Sequence, residues 1–520
     1  LEKEVFMKVY MAQLFVEAGK PEVNLETVMA AVERGKAAGA DLVLLPQNAI
    51  EGSTMLGSLG DEVEFLQKCG GFRDKVAELS QGIEILLGGS DMLSDGGVFF
   101  SKGKPAKWGY DFEVLSGLST FTEGKNLVVR NACAGHAQKL QWPIFYLDLV
   151  GTENSGKNIY AMDGGSGIWD KSGNQVFAMP RFESSECLVE VGEDGSVSGF
   201  PQNTVVEPDR IALIHDALVF MIRENLKKFH IPRMVIGASG GIDSAVSAAL
   251  YAEAIGAKNV YLINMPTRFN SATTRNAAAD LAKNLGSPYM VAPISAIVES
   301  VCNSLGQCKF EGDDTPIKVE GINHENLQAR TRSASVLLTV ASVLGAGITC
   351  NGNKSEATAG YCTLYGDSCG VMCALGDLWK TDVYALARYI NRDKEIIPQA
   401  SIDVPASAEL SDAMNVDEGK GDPIKYPYHD KLFAEWVEWG SSLESTEARL
   451  AAGFESYCKD LGVDLEYFKS LFKTPEEALQ DMRAWHKRFR GIALAKRIQF
   501  PPILSVSGHA FGAEYPESQV

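Results

Sequence analysis

Six consecutive residues, Ser239-Gly240-Gly241-Ile242-Asp243-Ser244, constrain this chain more than any other stretch. The apolar run Met234-Val235-Ile236-Gly237-Ala238 before them reads as a buried strand. Residues 245–255 after them, rich in Ala and Leu, read as a helix. The motif is then a glycine turn between a strand end and a helix start. Two glycines let the backbone approach a ligand without Cβ clashes. The first amides of a helix lack intrahelical partners, and together with the helix dipole they favour an anion. Ser239 and Ser244 add hydroxyl donors. Asp243 would repel a bare phosphate, which points to a bridging divalent cation. The site so described suits pyrophosphate with magnesium. It is not the P-loop, since GxxxxGK[ST] is absent. The bland alternative is a tight turn; the strand before, the helix after and the embedded aspartate select the phosphate site.

The chain has 520 residues, enough for about two to four domains. A formal net charge of −19 argues against a nucleic-acid partner, which would require a basic surface. No apolar run reaches the length of a membrane span. The first residues lack a signal-peptide pattern, and Met7 reads as the natural start. The cysteines show no CxxC pairs; Cys362, Cys369 and Cys373 cluster, but no histidine lies near. These features predict a reduced, cytoplasmic protein with no membrane partner and no zinc site.

In the N-terminal part, strands are predicted at residues 8–16, 41–45, 83–87, 98–101 and 144–150, and helices at 24–38 and 62–80. The pattern fades over residues 102–124. Residues 158–179 read as a β-hairpin turning at Lys171-Ser172-Gly173-Asn174. This order predicts a layered α-β-β-α sandwich. Residues 40–52 and 150–173, including Asp163-Gly164-Gly165-Ser166, resemble the nitrilase-like glutaminase domain found ahead of some amide-transferring synthetases. The resemblance implies hydrolysis of glutamine by a Glu–Lys–Cys triad, and the chain departs from that pattern. Gln47 stands where the family has its basic glutamate, and an amide cannot accept a proton as a general base. No Cys-Glu-Asp tripeptide exists, and Cys133 is the cysteine in the right region. Lys102, Lys104 and Lys107 read as solvated loop charges. The domain is also shortened between Gly103 and Trp142. Residues 7–198 are therefore expected to keep this fold without its chemistry, and residues 199–208 to form a linker.

In residues 209–520, Ile211, Ile214, Leu218, Met221 and Ile222 mark one face of a helix. Strands at 260–265, 289–294 and 347–351 then alternate with helices at 271–285 and 322–344. Alternation predicts a doubly wound parallel sheet, with ligands beyond the carboxyl ends of its strands. Ser239–Ser244, Pro266-Thr267-Arg268 and residues 351–356 all fall at such ends.

The six-residue motif resembles the signature of the ATP pyrophosphatases, which split ATP into AMP and pyrophosphate. The resemblance narrows to the NAD synthetase family through an ordered set of stretches. These are Asn326-Leu327-Gln328-Ala329-Arg330, Asn353-Lys354-Ser355-Glu356, residues 360–367, Trp379-Lys380-Thr381-Asp382, Ser407-Ala408-Glu409-Leu410 and residues 421–428. Lys496-Arg497, Pro501-Pro502 and Ala510-Phe511-Gly512 resemble the long, two-domain form.

That resemblance implies ATP-dependent amidation of nicotinic acid adenine dinucleotide (deamido-NAD) to NAD through an adenylated carboxylate. It implies magnesium on Asp243 and Glu356. It places ATP and its pyrophosphate on Ser239, Gly240, Gly241, Ser244, Asn351, Lys380 and Ser407. It places deamido-NAD on Asn326, Arg330, Tyr361, Thr363 and Asp367, across the interface of a homodimer or higher even oligomer. Given Gln47, free ammonia is the expected nitrogen donor and glutamine an unlikely partner. Three other readings stay open: a glutamine-dependent NAD synthetase with a working N-terminal domain, a different ATP-pyrophosphatase amidotransferase, and a non-catalytic nucleotide-binding scaffold.

Overall fold

The computed structural model describes residues 6–53, 62–88, 97–117, 119–201, 205 and 208–512. Part of the expected linker, residues 202–204 and 206–207, lies outside the described residues. The chain divides into two compact units: one runs to Ser155 and takes in Ile159–Met221, the other comprises Gly156–Asn158 and Ile222–Val520. The division falls inside the helix Arg210–Lys228, past the expected boundary at residue 208.

In the first unit the strand Phe6–Gln13 lies between Ser185–Gly192, antiparallel, and Leu42–Leu45, parallel, in a seven-stranded sheet. Alternation assigns its side chains to two faces. Val9 and Met11 pack with Leu42, Leu44, Phe145, Leu147 and Ile168, so this face meets the four-stranded sheet that contains Ile144–Leu147 and Gly167–Trp169. Tyr10 and Ala12 instead pack with Leu25, Val28, Phe65 and Val76 of the helices Pro21–Ala37 and Val63–Leu79. The outer face of the smaller sheet carries the helix Lys125–Leu140, through Cys133 and Ala137 against Ile144, Tyr146 and Trp169. The layers are α-β-β-α, as the strand order predicted.

Three local expectations are corrected. Residues 144–150 form two strands, Ile144–Leu147 and Val150–Ser155, because Asp148 between them turns into a buried pairing with Lys125 at 2.8 Å. The fading region contains the strand Glu113–Ser116, and the helix Lys125–Leu140 follows it. The helix expected over 322–344 is α-helical at Ile322–Arg330 and Leu338–Leu344, with a π-helical stretch, Thr331–Leu337, between.

The second unit is built on a parallel sheet with strand order Tyr289–Val291, Val260–Asn264, Met234–Gly237, Gly347–Ile348. Met234, Val235 and Ile236 are fully buried, as a central parallel strand requires. Val235, Ile263 and Ile348 pack with Val298, Leu337 and Ala341 from the helices on one face. The sheet grows in one direction from Met234–Gly237 and then restarts on its other side with Gly347–Ile348. A crevice opens at that reversal, beyond the carboxyl ends of the two strands. Beyond it lies a helical region, Tyr426–Val437 through Pro475–Arg490, cored by Tyr428, Phe433, Tyr457, Phe468 and Phe489. Among the described residues, no helix is long and apolar enough to cross a membrane.

Candidate active site

The loop after Met234–Gly237 turns sharply at Gly240, whose φ is +90°. A Cβ at Gly240 would lie 1.9 Å from the Thr274 carbonyl oxygen, so no other residue fits. Gly240 therefore packs backbone on backbone, while Ser239, Gly241, Asp243 and Ser244 line a pocket of about 680 Å³, within the usual range for small-ligand sites. The loop is braced from within: the Gly241 amide donates to Ser239 Oγ (3.1 Å), and Ser244 Oγ donates to the Gly241 carbonyl (3.0 Å). Gly241 caps the helix Ile242–Ile255, whose first amides open towards the pocket.

The neighbouring strand end supplies the second wall. Asn353 and Glu356 form a capping box at the start of Lys354–Ala359: the Glu356 amide donates to Asn353 Oδ1 at 3.0 Å, and the Asn353 amide to Glu356 Oε2 at 3.3 Å. Asn353 Nδ2 also donates to Asp243 Oδ1 at 3.0 Å, tying the two strand ends together. Lys380, at the start of Lys380–Ile390 and 2% exposed, bridges them through its ammonium, bonded to Asp243 Oδ2 and 3.5 Å from Glu356 Oε1.

Asp422 adds a third carboxylate, 8% exposed, accepting from the Tyr426 hydroxyl (2.9 Å) and the Ala408 amide (3.2 Å). One ammonium thus faces three carboxylates. Burial alone would lower the Lys380 pKa, but Asp243, Glu356 and Asp422 hold it above the ordinary lysine value. Glu356 is pushed up to about 8, by burial first and then by Asp243 and Asp422, with Lys380 opposing. Burial likewise raises Asp422. The cluster holds more carboxyl groups than Lys380 alone can pair with.

Of the residues assigned to the dinucleotide, Asn326, Tyr361, Thr363 and Asp367 line the same pocket. Thr363 links two of them: its hydroxyl donates to Asn326 Oδ1 (2.9 Å) and its amide to Asp367 Oδ1 (2.7 Å). Asp367 is open to the pocket yet enclosed by protein on its other sides, which raises its pKa. Arg330 does not line the pocket; it is exposed, and its Nε donates to the Leu364 carbonyl at 3.1 Å. Asn351 and Ser407 line the pocket, Ser407 donating to the Met414 carbonyl at 2.7 Å. Sequence reasoning did not assign Asn353, Asp422 or Arg332. The first two stand in motifs it quoted, so the signal was present; their partners lie 110 and 14 residues away.

In the first unit, Gln47 follows the strand Leu42–Leu45, and its Oε1 is buried without a partner among the described residues. Lys102, Lys104 and Lys107 are exposed. The buried lysine is Lys125, held by Asp148 (2.8 Å), Asp163 (2.6 Å) and the Ser119 carbonyl (2.6 Å). Cys133 is 1% exposed, and burial pushes its thiol up to about 12, so it carries no thiolate near neutral pH.

Comparison with known proteins now bears on this geometry. The sequence model of the NAD synthase family matches residues 214–452. A glutamine-dependent NAD(+) synthetase of Rhodobacter capsulatus is 28% identical over 517 residues, covering 86% of this chain and 90% of that protein. One of Synechocystis is 32% identical over 348 residues, covering 67% of this chain and 59% of that protein. A solved structure of glutamine-dependent NAD+ synthetase from Acinetobacter baumannii, in complex with adenosine diphosphate, matches with a TM-score of 0.67 at 21% identity over 98% of each chain, which shows the shared fold. The expectation that glutamine is an unlikely partner, with free ammonia in its place, is corrected by these relatives. It rested on Gln47, the missing Cys-Glu-Asp tripeptide and the shortened middle of the domain, whereas the Rhodobacter protein, glutamine-dependent, aligns over nine-tenths of its length.

Proposed function

We infer that this chain is a two-domain NAD(+) synthetase, a nitrilase-like domain followed by an ATP-pyrophosphatase-type synthetase domain, which converts deamido-NAD to NAD with ATP. The observation that carries the reading is the convergence of Asp243, Glu356 and Lys380 at the strand reversal, over a glycine loop that opens a helix. A carboxylate resists amidation because it is anionic and has a poor leaving group. Transfer of the adenylyl group of ATP onto it removes both obstacles, and the nitrogen nucleophile then displaces AMP. The burden on the protein is the charge of the departing pyrophosphate. The first amides of Ile242–Ile255 would donate to its oxygens, Ser239, Gly241 and Ser244 would turn to it from the bonds they make within the loop, and Lys380 adds a fixed positive charge. The excess of carboxylates over lysine fits a hard dication, and two carboxylates with phosphate oxygens suit magnesium. Asp243 and Glu356 would hold it, and it would neutralise phosphate charge there. Thr363 orients Asn326 and Asp367 towards the dinucleotide.

For the nitrogen donor the relatives favour glutamine, in keeping with the shared two-domain build. Gln47 cannot serve as a base, and burial keeps the Cys133 thiol protonated near neutral pH. The test is NAD formation from ATP and deamido-NAD with glutamine or ammonium, with AMP, pyrophosphate and glutamate measured together. AMP and pyrophosphate should appear in equal amounts with NAD. Formation of ADP and phosphate instead would sink the adenylation reading. Turnover with ammonium but no glutamate release from glutamine would remove the glutamine part alone.

A further inference from the structure

Arg332 is a cation on the pocket wall that no carboxylate pairs with among the described residues. It stands in the π-helical stretch Thr331–Leu337, and such wide turns inside helices are frequent at functional sites. Its Nε donates to the Met265 carbonyl at 3.2 Å and its Nη2 to Asn270 Oδ1 at 3.4 Å. Asn270 is fixed in turn, its Oδ1 accepting from the Thr267 amide at 2.8 Å. The guanidinium is thus aimed from two sides, while Nη1 has no partner among the described residues. Glu409 and Asp367 act on it only through space, and enclosure lowers its pKa to about 10. A guanidinium held this way is matched by a phosphate, whose oxygens fit its planar fork.

The place of Arg332 tells which phosphate. Met265 follows the strand Val260–Asn264, which lies beside Met234–Gly237. The carbonyl that anchors Arg332 therefore lies just past the strand next to the one that carries the glycine loop. If that loop holds the pyrophosphate, the α-phosphate is the next group of ATP, and Arg332 is an uncommitted cation on the wall of the same pocket. We propose that Arg332 grips the α-phosphate of ATP and holds it for attack. In that step a nicotinate carboxylate oxygen bonds to the α-phosphorus, the bond to the bridging oxygen breaks, and pyrophosphate leaves with the electron pair. The proposal rests on the reading of this pocket as the ATP site of an adenylating enzyme.

The test compares wild type with Arg332→Gln, which keeps a donor for Met265, and Arg332→Lys, which keeps the charge. Binding of AMP and of inorganic pyrophosphate is measured by calorimetry, and deamido-NAD-dependent pyrophosphate release gives kcat and KM. Arg332→Gln should weaken AMP binding by ~10-fold or more, leave pyrophosphate binding within about twofold, and lower kcat by ~10²-fold, as for loss of one oriented transition-state donor. Arg332→Lys should recover part of the AMP affinity. Unchanged AMP affinity and kcat in folded Arg332→Gln would overturn the proposal. An equal loss of pyrophosphate affinity would also overturn it, placing Arg332 on the leaving group. A wild type that releases no pyrophosphate defeats the adenylation reading instead, and the AMP measurements still decide the place of Arg332.

Discussion

Asp430 holds together the two helices that present Glu356 and Lys380, and replacing it with asparagine or alanine tests that role. It is 2% exposed and accepts from Ser355 Oγ at 2.6 Å and from the Thr381 amide at 2.9 Å. Ser355 Oγ accepts in turn from the Lys380 amide at 2.9 Å. Burial raises the Asp430 pKa from 3.8 to about 6, against the hydrogen bonds from Ser355 and Thr381. A folded pKa above the unfolded one means a stability contribution that is complete below pH 3.8 and is lost as pH rises through about 6. Each unit corresponds to about 1.4 kcal/mol, so ionising Asp430 in the fold costs ~3 kcal/mol. Asn at this position does not titrate. The stability of wild type relative to Asp430→Asn, from urea unfolding, should therefore fall with rising pH up to about pH 6 and be constant above. Asp430→Ala leaves the Thr381 N–H and the Ser355 hydroxyl without their acceptor, at about 1–3 kcal/mol each, and should lower NAD formation at pH 7. A stability difference between wild type and Asp430→Asn that is flat from pH 4 to 7 would refute the reasoning.

Other outcomes follow from the same geometry. Asp243→Asn and Glu356→Gln should each keep the fold and lose ~10²-fold or more of activity, checked by steady-state NAD formation at saturating magnesium. Gly240→Ala should destabilise the protein by ~2 kcal/mol or more and weaken ATP binding, because its Cβ meets backbone at a positive φ. Gly241→Ala, whose Cβ would meet only Ser239 Oγ at 3.4 Å, should leave thermal stability within about 0.5 kcal/mol of wild type. Cys133→Ala should leave glutamate release and NAD formation unaltered, and selective loss of glutamine-driven turnover would identify Cys133 as a nucleophile.

What could be read from the chain and what could not divide along a physical line. The glycine loop and Asp243 were legible from the strand before them and the helix after, whereas Glu356 and Lys380 were singled out by the resemblance to NAD synthetases, and the fold brings all of them to one pocket. The layers of the first unit were legible from the order of its strands and helices, while the split of the apolar run Val9, Tyr10, Met11 and Ala12 between two faces emerges only in the fold. The helix Lys125–Leu140 was not, because its buried residues are few, Lys125, Cys133 and Ala137, and leave no apolar stripe. Arg332 was missed for a subtler reason. Spacing of four on an ideal helix groups Arg330 with Asn326, and that rule assumes 3.6 residues per turn throughout. The π-helical stretch begins at Thr331, and it is Arg332, from within that stretch, that reaches the pocket while Arg330 faces solvent. Nothing local announces the change of pitch, since residues 331–337 carry no Gly or Pro. The charged groups gathered at the strand reversal stand in short local motifs that can be recognised in the sequence. Those that orient them, Asn353 across 110 residues and Asp430 across 75, act through hydrogen bonds that only the folded chain brings within reach.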